Sequence, residues 1–178
     1  FVCADEDYSQ GKMIRNIPII GESEFFNNHK NSSIDVYIGI GSPIIKKNII
    51  KKIKDANIIA NYPTLIDPSV INDPKNNFIE ICQGVIICAG VSLTIDIVIK
   101  DFSHINLNAT VGHDVFIGKF STVSPGVNIS GKVKIGEMAF LGTGSVILEN
   151  LQIINQTIVG AGAVVVRDIL EPGTYVGI

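Results

Sequence analysis

From residue 81 to residue 165 an aliphatic side chain recurs at every sixth position: Ile81, Ile87, Leu93, Ile99, Ile105, Val111, Ile117, Val123, Ile129, Ile135, Leu141, Ile147, Ile153, Val159 and Val165. Two residues before most of these stands a second, mostly small residue, among them Val91, Ser103, Ala109, Ser121, Ala139, Ser145 and Ala163. The slot after the aliphatic is glycine at 112, 118, 136, 142 and 160. A helix needs apolar spacings of three and four, and a hairpin would break register at each turn, so a period of six fits neither. It fits a solenoid in which each hexad is one short strand and a corner, with positions i and i−2 facing inward. Three hexads close a triangular coil of about 18 residues, so residues 18 apart stack. Neighbouring coils then pair as parallel strands about 4.8 Å apart, and five coils give a prism roughly 24 Å tall. The expected fold is mainly β, a parallel β-helix.

The first 60 residues have another texture. Phe1–Cys3 reads as a strand followed by the acidic Asp5, Glu6 and Asp7, and Gly21-Glu22-Ser23 leads into a short helix. Asp35–Gly41 reads as a buried strand, and Ser42-Pro43 supplies an N-cap with proline at the first helical position. In the helix that follows, Ile44, Ile45, Ile49, Ile50 and Ile53 are expected on one face and Lys46, Lys47, Lys51, Lys52 and Lys54 on a solvated one. Ile58–Ala60 is a further strand, which makes one β-α-β unit of a small, incomplete Rossmann-like domain. The predicted division is 1–60 for this α/β part and 61–178 for the β-helix. The proline-bearing stretch 61–77 serves as linker and first imperfect coil, and the register is expected to fail at Glu171. The opening Phe-Val-Cys and the closing Tyr-Val-Gly-Ile both look clipped.

Composition narrows the function. A hydrophobic share of 46% over 178 residues excludes disorder. A net charge of −3 without a basic stripe excludes the phosphate footprint of nucleic-acid binding. Cys3, Cys82 and Cys88 form neither a disulfide framework nor a zinc spacing, which points to a reducing, cytoplasmic compartment. No run of about 18 apolar residues and no signal-peptide pattern is found, so no membrane span is expected.

Gly-His-Asp at 112–114, Ser-Pro-Gly at 124–126, Gly-Lys-Val-Lys-Ile-Gly at 131–136 and Val-Gly-Ala-Gly-Ala-Val-Val at 159–165 resemble the left-handed β-helix, hexapeptide-repeat acyltransferases. Within these, the chain is similar to the bacterial nucleotide-sugar N-acetyltransferases and sialic-acid O-acetyltransferases. The resemblance implies a left-handed helix, a homotrimer, acetyl-CoA as co-substrate, no metal, and transfer to a UDP-4-amino sugar in surface-glycan biosynthesis. It implies His113 as general base on the incoming amine, and Asp114 is a neighbouring carboxylate that favours the protonated imidazole. By the 18-residue stack Gly131 lies one coil above His113, and the family implies that its amide holds the thioester oxygen. Asn106 matches a polar active-site position. Thr143 and Ala161, stacked with Pro125, match acetyl-CoA contacts, and Thr122 stands where close members can carry a cofactor-contacting histidine. Gly41, between a strand end and a helix N-terminus, matches a nucleotide-sugar contact, and Asp5 is a second substrate contact.

His29 is placed in a polar loop and His104 half a coil from His113, so neither pairs with it. That spacing weighs against the β-helix carbonic anhydrases, which gather three histidines on zinc. Sugar O-acetylation and a scaffolding β-helix without activity are the alternatives to N-acetylation.

Overall fold

The structure is a computed structural model, and it describes residues 13–72 and 78–177. Asp5 and the expected strand Phe1–Cys3 lie outside the described residues. Two compact units emerge: residues up to Val36 together with Asn48–Asn61, and Tyr37–Lys47 together with the chain from Tyr62 onward.

In the first unit, Met13–Ile14 pairs antiparallel with Ile17–Pro18 across Arg15 and Asn16, both at positive φ. Helix α1 covers Glu22–His29, which makes His29 the last residue of a helix and not part of a loop. Its Nδ1 lies 2.9 Å from the Phe25 carbonyl. Ser33–Asp35 pairs in parallel with Ile59–Asn61. The expected strand Asp35–Gly41 therefore ends almost where it was to begin. Past Val36, whose amide still reaches the Asn61 carbonyl, residues 37–41 make no backbone hydrogen bond to a neighbouring strand among the described residues.

Helix α2 covers Pro43–Asp55, as the Ser-Pro start predicts. Its buried residues are Pro43, Lys46 and Ile53, whereas Ile44 and Ile45 are exposed. Lys46, read from sequence as one of the solvated lysines, is 1% exposed. Spacings of three and seven put it on the buried stripe whatever its charge.

The second unit is the solenoid. Its strands form three parallel sheets of seven, five and five strands, and from Ile79 to Val165 each strand residue pairs with the one 18 positions away: His104 with Thr122, Thr110 with Asn128, Phe116 with Lys134. We call these the first, second and third sheet. Fourteen of the fifteen repeated aliphatics are buried, and the smaller inward residues fill the space between them. The first sheet has seven strands where five coils were expected. Leu65–Ile66 adds one at the start, and Thr174–Tyr175 adds one at the end, beyond the expected loss of register. The end is kept by a step of 16: Ile153 bridges Ile169, and Ile158 pairs with Thr174.

Each corner contains one residue in the left-handed region, and these recur every six positions from Gly84 to Gly162. Nine of these fourteen positions are not glycine; Asp96, Phe102, Asp114, Lys132 and Met138 are examples. The glycines after the aliphatics have another cause, coil-to-coil approach. A Cβ on Gly118 would lie 2.5 Å from the Gly136 carbonyl carbon.

Candidate active site

His113 and Asp114 occupy the corner between the second-sheet strand Thr110–Val111 and the third-sheet strand Phe116–Ile117. Val111 and Val115 are buried on either side and fix this corner in space. Asp114 is the left-handed residue of the turn, at φ 58°. That backbone turns its carboxylate toward His113, and Oδ2 lies 2.6 Å from Nδ1. A carboxylate accepts only, so Nδ1 carries the proton in this bond and the neutral ring presents Nε2 as a bare lone pair. Both side chains are about half exposed (55% and 49%). Nε2 has no protein partner among the described residues.

One coil on, Gly131 lies directly over the imidazole. A Cβ built on it would come within 2.5 Å of Nε2, 2.8 Å of Cε1 and 3.0 Å of Cδ2. The ring occupies the space that any side chain at 131 would need. The coils are tied here by the Lys132 amide, which donates to the His113 carbonyl at 2.7 Å, while the Asn150 amide donates to the Gly131 carbonyl. The Gly131 N–H itself donates to no acceptor among the described residues. A bare imine nitrogen and an uncommitted amide thus stand side by side, as base-assisted acyl transfer requires.

Asn106 does not join them within one chain. It lies in the corner between the first and second sheets, where its Oδ1 accepts from the Leu107 amide at 2.8 Å. Pro125, Thr143 and Ala161 run along that same corner, one per coil. Thr143 and Ala161 are exposed, and their amides also donate to nothing among the described residues. The predicted catalytic and cofactor residues therefore mark two edges of the prism, separated by one hexad, up to ~20 Å of chain. Two surface depressions, lined by Phe116, Lys134, Gln152 and Asn155 and by Phe78, Glu80 and Asp96, do not include His113.

Thr122 is placed otherwise than as a cofactor contact. It is 2% exposed, and its hydroxyl donates to the Gly41 carbonyl at 2.6 Å. The same oxygen accepts from Lys46 Nζ at 2.9 Å. Lys46 also donates to the Phe102 and Ser121 carbonyls at 3.0 and 3.3 Å. With no carboxylate in this set, burial brings its ammonium down to about 7. Lys46 was missed in the sequence; the only signal was its place on the buried stripe of α2. His104 is also part-buried, with Nε2 3.4 Å from Cys88 Sγ and Nδ1 unpartnered. Burial, and then the charge of Lys46, hold its pKa below the usual histidine value. Gly41 sits just ahead of the Ser42 cap of α2.

No family model and no curated protein matches the chain, but solved structures do. The acetyltransferase domain of PglB from Neisseria gonorrhoeae in complex with acetyl coenzyme A is 30% identical, with a TM-score of 0.83 over 97% of this chain and 81% of that one. A histidine-substituted perosamine N-acetyltransferase from Caulobacter crescentus, with CoA and GDP-perosamine, is 28% identical, with a TM-score of 0.84 over 98% and 80%. WeeI from Acinetobacter baumannii is 26% identical, with a TM-score of 0.76 over 94% and 79%. With its 18-residue coils and its histidine corner, the chain belongs to the left-handed β-helix, hexapeptide-repeat acyltransferases.

Proposed function

We propose that the chain transfers an acetyl group from acetyl-CoA to the amino group of a nucleotide-linked sugar, of the UDP-4-amino-sugar type. The observation that carries this reading is His113, held by Asp114 through Nδ1, with Nε2 open beside the uncommitted Gly131 amide. Nε2 takes a proton from the amine as its nitrogen attacks the thioester carbon. The carbonyl oxygen gains negative charge, and the Gly131 N–H meets it. As the tetrahedral adduct collapses, the carbon–sulfur bond breaks, the imidazolium returns its proton to the departing thiolate, and CoA leaves as the thiol. Acetyl-CoA and nucleotide-sugar complexes of the similar enzymes support this assignment.

One chain holds the base on one edge and Thr143 and Ala161 on another. This supports a homotrimer in which the His113 corner of one copy faces the Thr143–Ala161 corner of the next, and the pantetheine arm lies between them. Gly41 serves as the nucleotide-sugar contact, and Asp5, outside the described residues, is the second. Among the described residues no helix is long and apolar enough to cross a membrane and no group of three metal-ligating side chains occurs. Free Cys82 and Cys88 support a cytoplasmic site of action, where the products would enter surface-glycan biosynthesis.

The test is thiol release from acetyl-CoA with UDP- and GDP-linked 4-amino sugars, the matching nucleotide sugars without the amine, and free sialic acid. Release with the amino sugars alone is expected. Release with sialic acid alone would replace the reading by O-acetylation, and release with the amine-free sugars would remove nitrogen as the nucleophile.

A further inference from the structure

The segment Tyr37–Gly41 makes no backbone hydrogen bond to another backbone group among the described residues, although Val36 before it and Ser42 after it each make one. It contains Gly39 and Gly41, and a Cβ at either would meet nothing within 4 Å, so close packing does not hold them. Ile38 in this segment is buried, and among the described residues the hydrogen bond that ties the segment to the coils is at the Gly41 carbonyl, which accepts from Thr122 Oγ1, which accepts in turn from Lys46 Nζ. The other two Lys46 N–H groups go to the Phe102 and Ser121 carbonyls, so the ammonium uses its three donors on three acceptors. A residue that only filled this space could be as apolar as Ile53, which sits two turns further along the same buried stripe.

We propose that Lys46 is a positioning residue for the nucleotide-sugar acceptor: through Thr122 it fixes the Gly41 backbone in place before the nucleotide arrives. This rests on the reading of Gly41 as a nucleotide-sugar contact. Holding a glycine segment beforehand removes an ordering cost that binding would otherwise bear. Loss of the tie therefore weakens acceptor binding and leaves acetyl-CoA binding alone, since the Thr143–Ala161 edge does not touch it. A merely structural plug predicts the opposite pattern, with both ligands weakened together.

The experiment uses the full chain with Lys46→Met, Thr122→Val and the double variant. Calorimetry measures binding of the UDP- or GDP-linked 4-amino sugar that the wild type accepts, and of acetyl-CoA. Chymotryptic cleavage after the exposed Tyr37 is followed by mass spectrometry as a readout without ligand. Each single variant is expected to weaken sugar-nucleotide binding by about 10-fold or more while acetyl-CoA binding stays within about two-fold. The double variant should be no worse than the weaker single, because both cut one chain of bonds. Cleavage after Tyr37 should speed up in all three.

Unchanged sugar-nucleotide binding, or equal loss of both ligands, would overturn the proposal. A wild type that binds acetyl-CoA but no nucleotide sugar would overturn the substrate reading instead. Cleavage after Tyr37 then judges Lys46 alone, and an unchanged rate in the variants refutes its hold on Gly41. Should Lys46→Met fail to fold, Thr122→Val gives the same readouts with the lysine in place.

Discussion

Replacing Gly131 by alanine is expected to damage catalysis while sparing the fold. The new Cβ would lie 2.5 Å from His113 Nε2 and 2.8 Å from Cε1, too close for either atom to stay where it is. What must yield is the far end of an exposed side chain, because the nearest atoms all belong to the imidazole. Gly131 is not at positive φ, so alanine brings no backbone strain. The stability lost is then about that of one exposed ion-pair-like bond, 1 kcal/mol or less, or roughly 2–4 °C in Tm at most.

The rate cost is larger. A ring pushed aside gives up the 2.6 Å bond to Asp114 and moves Nε2 away from the amine. A misplacement of about 1 Å costs on the order of 10²-fold, or about 2.7 kcal/mol. Steady-state thiol release should show a kcat/KM lowered by about 10²-fold or more. The double variant with His113→Ala should be no slower than His113→Ala alone, since both act through one ring. An activity within about three-fold of wild type, or additive losses in the double variant, would refute this account of the corner.

Four further outcomes follow from the same geometry. Gly118→Ala should behave oppositely, because its Cβ would meet Gly136 and Glu137 backbone at 2.5 and 2.6 Å, neither of which can swing away; thermal denaturation should show a loss of about 1–3 kcal/mol or more. Leu141→Ala, at a fully buried position, should cost about 2–5 kcal/mol by urea unfolding. Lys46 titrates near 7 when folded but at about 10.4 when unfolded, so between those values the unfolded chain binds more protons and this group makes stability rise with pH; urea midpoints from pH 7 to 9.5 should lose that rise in Lys46→Met. Co-expressed His113→Ala and Ala161→Trp chains, each inactive alone, should regain roughly a quarter of wild-type sites if neighbouring copies in a cyclic trimer supply the two edges. Persistent inactivity of those mixed trimers would place both edges in one copy's site.

The period of six was legible because a solenoid repeats one strand and one corner per hexad. The inward aliphatics therefore index the coils, and the 18-residue offset alone stacks Gly131 on His113. The same index gave the common corner of Pro125, Thr143 and Ala161. The left-handed corner positions were not legible, since Phe102, Lys132, Met138 and Gln156 occupy the same backbone slot as Gly84 or Asn108. There the ladder between coils overrides residue preference. Lys46 was hidden for a related reason: a side chain's charge says where it is cheapest, while the helical period says where it points. Thr122 looked like a cofactor contact by alignment with a family position, but its hydroxyl is spent on Gly41 and Lys46. The strand expected over Asp35–Gly41 has the right apolar alternation and, among the described residues, no partner beyond Asn61.

The most direct test is acetyl transfer to an amino-sugar nucleotide by wild type and by His113→Ala, at saturating concentrations of both substrates. Retained acetyl-CoA binding and an unchanged Tm would establish that the variant is folded. A kcat lower by about 10²–10⁴-fold is the expected result for a lost general base. Turnover within about three-fold of wild type would contradict the assignment of His113 as the base.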